Sequence, residues 1–139
     1  MMTRHLGIDY GDARVGVAIS DELGMLAHPL ETIAVKDTEP VARVAQLVRE
    51  RGIGTVVVGL PRNMDGSQGS SADKAKAFGD KLREAGCTVR MWDERLTTVA
   101  AQKQLHQAGK NAKQSKSLID QAAAAFILQG WLDAQSMLG

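Results

Sequence analysis

Three carboxylates hold the chemistry this chain could do. Asp9 closes the apolar run Leu6-Gly7-Ile8, Glu94 stands two residues past "CTVRMW" (87–92), and Asp120 opens "DQAAAAFILQGWL". An unpaired carboxylate beside a core costs roughly several kcal/mol unless it is paired, protonated or bound to a metal. Two of these acids follow strand-like runs and the third begins a helix-like one, so docking could bring them together. Their hard oxygens suit Mg²⁺ or Mn²⁺. Zinc does not fit, because His5, His28 and His106 are scattered and Cys87 is the lone cysteine. No Ser-His-Asp grouping is readable. Carboxylate-held metal serves most often in phosphodiester hydrolysis, where it lowers the pKa of an attacking water and steadies the leaving oxygen. Each acid also has an ordinary reading: an Asx turn for Asp9, an ion pair with Arg95 for Glu94, a capping box with Ser117 for Asp120.

The charge distribution points to a polyanion. Residues 1–94 contain twelve basic and fourteen acidic residues, a net of −2. Residues 95–119 contain Arg95, Lys103, Lys110, Lys113 and Lys116 with no acid, and residues 120–139 return to −2. Such a basic segment in a near-neutral chain fits a phosphate backbone, and equally a solvated lysine face. The loop "GLPRNMDGSQGSS" (59–71) adds glycines, whose backbone N–H groups can approach a phosphate, and the fork of Arg62.

The elements that must position these groups follow from periodicity. Residues 4–10 and 14–20 read as a hairpin around "YGDA", and 27–35 as a third strand, placed at an edge by Pro29. A helix follows, capped by Asp37 or Thr38, with Val41, Val44, Ala45 and Val48 on one face and Gly52 ending it. "TVVVG" (55–59) is a continuous apolar run, as in a strand covered on both faces. A helix over 71–85, a strand over 87–92, a helix over 97–108 and a final helix over 117–135 complete the order. The order predicts an α/β fold: a five-stranded mixed sheet, strands 1–3 antiparallel and the later strands parallel to strand 1, flanked by helices. Right-handed crossovers make strand 1 central, with Asp9 near its C-terminal end, where ligands bind in open α/β sheets.

Length and composition set the frame. The 139 residues suffice for a single domain, 1–139, with a core. No apolar run reaches the roughly 20 residues of a membrane span, so no membrane partner is expected. One cysteine excludes an internal disulfide, and a cytoplasmic setting with a buried thiol is the default.

Four stretches in order, "LGIDYGDARVGVAISD", "VVVGLPRNMDGSQG", "WDERLTTVAA" and "IDQAAAAFILQGWL", cover nearly the whole chain. Together they resemble the YqgF/RuvX family of RNase H-like nucleases, described as pre-16S rRNA nucleases or Holliday junction resolvases. The resemblance implies an RNase H-like fold and a catalytic metal site of Asp9, Glu94 and Asp120. It further implies nucleic-acid contacts by Arg14, by Arg62, Asn63, Gly66 and Ser67 of the loop, and by Arg95, Thr97 and Thr98. Lys103, Lys110, Lys113 and Lys116 join them on charge alone. Two departures matter. Ala13 stands where many relatives have a second base, and Gln121 with the following alanines offers no fourth carboxylate. The expected activity is metal-dependent hydrolysis of precursor rRNA; the alternatives are resolution of branched DNA, which calls for a two-fold homodimer, and a non-catalytic nucleic-acid-binding module. A sugar-kinase-like ATPase shares the opening hairpin but needs two such domains.

Overall fold

The computed structural model describes residues 3–61, 69–94 and 116–138. Five strands, β1 (Arg4–Tyr10), β2 (Arg14–Ser20), β3 (Ala27–Ala34), β4 (Ile53–Leu60) and β5 (Val89–Asp93), form one sheet in the order β3-β2-β1-β4-β5. β1 pairs antiparallel with β2 and β2 with β3, whereas β4 runs parallel to β1 and β5 parallel to β4. The central place of β1 and the mixed sheet agree with the sequence reading. Pro29 lies on the edge strand β3, beside a shift of register between Val17 and Ala18.

Strand alternation sorts the side chains into two cores. Leu6, Ile8, Val15, Val17, Val56, Val58 and Val89 point to one face, covered by α1 (Pro40–Arg51) and α2 (Ser70–Glu84) through Val44, Leu47, Ala75, Phe78 and Leu82. Cys87 is buried at the margin of this core as a free thiol, and burial pushes its pKa up. The intervening residues face α3 (Lys116–Leu138), where Ala18 and Val57 meet Ala124, Ile127, Leu128 and Leu132. Glycine lets α3 settle close to the sheet. A Cβ on Gly7 would stand 2.6 Å from the Ala124 carbonyl oxygen and 2.6 Å from Leu128 Cβ.

Several boundaries differ from expectation. Helix α1 is capped by Glu39, whose Oε2 accepts from the Ala42 N–H at 2.7 Å, instead of by Asp37 or Thr38. Pro40 explains this: its fixed φ suits the first helical position, so the cap falls on the residue before it. Strand β4 extends beyond residues 55–59 at both ends, and β5 starts at Val89, two residues after the expected Cys87. Helix α3 begins by Lys116, so Ser117 lies within it and is not its cap. The helix expected over 97–108 lies outside the described residues.

Candidate active site

Alternation fixes which way the acids face. Gly7 lies under α3, so Asp9, two residues on, emerges on the same face of the sheet. On β2 its register partner is Gly16. On β4 the pairing of Ile8 with Val58, carried one residue further, brings Gly59 alongside. Asp9 is thus flanked on both neighbouring strands by residues without side chains, and each vacant place is taken by another element. The backbone of Asp120, on the first turns of α3, closes over Gly16. The carboxyl carbon of Glu94 lies 3.4 Å from where a Gly59 Cβ would stand, next to Ile127. The three acids therefore converge on one end of the sheet.

Their electrostatics reflect this. Burial first, then the charges of Glu94 and Asp120, together raise the Asp9 carboxyl from 3.8 to about 7. Glu94 is also raised, first by burial and then by its neighbour Asp93. The charges acting on Asp9 among the described residues are those of acids. Asp120 differs, because its Oδ2 accepts from Arg14 Nε at 2.7 Å. No three Asp, Glu, His or Cys side chains among the described residues stand close enough to hold an ion jointly. In donor chemistry the group fits a hard divalent cation: oxygens only, and a carboxylate that burial and its acidic neighbours together hold up near neutral pH.

Arg14, expected on nucleic acid, is positioned at the start of β2 and engages Asp120. Beside it is a hollow of about 550 Å³ lined by Asp12, Ala13, Arg14, Ala34, Val35 and Lys36. Arg62, Asn63, Gly66, Ser67, Arg95, Thr97, Thr98, Lys103, Lys110 and Lys113 lie outside the described residues, and of Lys116 only the backbone is described. The sequence reading missed Gly16 and Gly59. Their signal was available: glycine inside a strand run often marks the close approach of another backbone or group.

A mixed sheet with this strand order and acids at the end of its central strand defines the RNase H-like class. Solved structures support the fold. A structure titled "T. thermophilus RuvC in complex with Holliday junction substrate" matches with a TM-score of 0.61 at 19% identity, over 97% of this chain and 96% of the other. A second structure of RuvC from Thermus thermophilus matches at 0.58 and 17% identity, over 97% of each chain.

Sequence similarity is narrower. The family described as "RuvX: Holliday junction resolvase" matches residues 3–134, and the chain belongs to that family. Among its relatives, a protein of Acetivibrio thermocellus is 48% identical over 136 residues, covering 95% of this chain and 96% of the relative. One from Halalkalibacterium halodurans is 46% identical over 138 residues, covering 96% and 99%. Both are named "Putative pre-16S rRNA nuclease".

Proposed function

We propose that this protein is a divalent-metal-dependent nuclease that hydrolyses phosphodiester bonds in the 5′-end maturation of pre-16S rRNA. The observation that carries the chemistry is the burial of Asp9 between Gly16 and Gly59, with Glu94 and Asp120 both raising its pKa. The names of the relatives supply the substrate. Asp9, Glu94 and Asp120 would hold Mg²⁺ or Mn²⁺. When bound, such an ion activates water for attack on phosphorus and stabilises the departing oxygen. Asp9 anchors the arrangement, because a strand-borne carboxylate between two hydrogen-bonded neighbours moves least. Glu94 and Asp120 approach from separate elements and set the width of the site. Arg14 and the lysines of 103–116 give the phosphate backbone its counter-charge, which orients the substrate without selecting sequence.

Resolution of four-way DNA junctions is the second reading, favoured by the description of the family and by the junction-bound structural neighbour. It calls for a homodimer that cuts two strands symmetrically. Neither reading calls for a membrane, both suit the cytoplasm, and no helix among the described residues is long and apolar enough to cross a bilayer. The deciding experiment offers precursor rRNA and a four-way junction side by side, with Mg²⁺ and with Mn²⁺. Faster cleavage of the rRNA at its 5′ end is expected. Preferential, symmetric junction cleavage by a dimer would move the assignment to the second reading, and ion-independent binding without cleavage of either would remove the enzyme.

A further inference from the structure

The Arg14–Asp120 pair is a contact in the acid cluster that works against an ion. Arg14 Nε occupies Asp120 Oδ2 at 2.7 Å, and no three acids among the described residues stand close enough to hold an ion jointly. The pair is not locked in. The Arg14 side chain is 39% exposed and that of Asp120 21%, so solvent reaches both partners and screens their attraction. Alternation along β2 places Arg14 on the same face as Gly16, which is the face of the acids, at the outer end of the strand. The guanidinium thus lies on the acid face of the sheet, within reach of solvent.

We propose that Arg14 is a latch on Asp120: the guanidinium and a divalent cation compete for the same carboxylate, so that Asp120 joins the ion only after Arg14 has let go. This rests on the reading of Asp9, Glu94 and Asp120 as an ion site. Toward the ion, Arg14 is a positioning residue that acts through Asp120. In the closed state it neutralises Asp120 and holds its side chain away from an ion. In the open state its fork is free at the rim, where a phosphodiester oxygen is its natural replacement acceptor. Ion and substrate then favour the same state, and each promotes binding of the other.

The test is Mn²⁺ binding to the full chain, followed by loss of the electron-paramagnetic signal of free Mn²⁺. It needs no substrate and no turnover. Arg14→Gln should bind Mn²⁺ roughly two- to fivefold more tightly than the wild type, the factor expected when a partly exposed competing ion pair is removed. Arg14→Lys, whose charge makes a looser pair, should fall between them. In an Asp120→Asn background Arg14→Gln should change nothing, because the contested carboxylate is gone. Equal or weaker binding by folded Arg14→Gln would overturn the latch. So would the same tightening in the Asp120→Asn background, which would reveal only a general effect of removing a positive charge. If Arg14→Gln does not melt cooperatively, Arg14→Lys carries the comparison, and affinity no tighter than wild type overturns the proposal. Absence of Mn²⁺ binding in wild type and variants alike would overturn the ion site itself, and the latch with it.

Discussion

Replacing Asp9 by Asn should stabilise the metal-free protein, and do so only above mildly acidic pH. Burial and the charges of Glu94 and Asp120 hold the Asp9 carboxyl at about 7 in the fold, against 3.8 ordinarily. Between those values the folded chain keeps a proton that the unfolded chain has released. Stability therefore falls as pH rises from about 4 to 7, and the penalty is complete above 7. Carrying a carboxyl over that interval corresponds to roughly 4 kcal/mol. Asparagine removes the charge but leaves a desolvated amide, at a cost of about 1–2 kcal/mol. A net gain of about 2 kcal/mol remains at pH 8, and none at pH 4. For a chain of this size that is a rise in melting temperature of roughly 6–10 °C. The assay is thermal unfolding of both proteins in a chelator at pH 4, 6 and 8. An Asp9→Asn protein that is less stable than wild type by the same amount at every pH would refute the claim that charge is crowded at this position.

The other predictions concern packing, the helix start and the basic segment. Gly7→Ala should destabilise by about 3 kcal/mol or more, because its Cβ would meet the Ala124 carbonyl oxygen and Leu128 Cβ, both at 2.6 Å. Gly59→Ala should cost less, about 1–2 kcal/mol, since the Ile127 side chain can move, yet it should reduce cleavage by displacing Glu94; denaturant melts and rates on one preparation check the order. Ser117→Ala should be near neutral in stability and active, whereas Asp120→Asn should remain folded, lose cleavage, and gain less melting temperature from Mn²⁺ than the wild type. Replacing Lys103, Lys110, Lys113 and Lys116 by Gln should weaken nucleic-acid binding without altering sequence preference. The slope of log K against log salt should become shallower by about 0.7–0.9 per lost phosphate contact, and an unchanged slope would make these lysines a solvated face.

Much of the sheet was legible because its signals are local. "TVVVG" reads as a strand covered on both faces, and β4 lies between β1 and β5 with its residues 56–60 buried. The hairpin, the edge position of Pro29 and the central place of β1 follow from turn residues, a missing N–H and the hand of crossovers. Asp9 and Glu94 could be placed at strand ends for the same reason. What depends on two distant segments was not legible. The Arg14–Asp120 pair joins residues 106 positions apart, and nothing local to either names the other. The close seat of α3 on Gly7 and Gly16 is likewise a property of a packed pair: a glycine inside a strand run signals that something approaches closely, but not that α3 is what approaches. The cap of α1 was missed for a smaller reason: Asp37 and Thr38 are stronger capping types than Glu39, but Pro40 decides the start of the helix.

Whether Asp9, Glu94 and Asp120 hold a divalent ion for phosphodiester cleavage is read from the rate of precursor-rRNA cleavage as a function of Mn²⁺ concentration, for wild type and Asp9→Asn at pH 8. The wild-type rate should rise from zero in chelator and saturate. Asp9→Asn, folded and at least as stable without metal, should stay at least about a hundredfold slower at every concentration, a larger loss than removal of a group that merely supports a ligand. Cleavage by wild type in chelator, or a normal Mn²⁺ response from Asp9→Asn, would mean that these acids hold no catalytic ion.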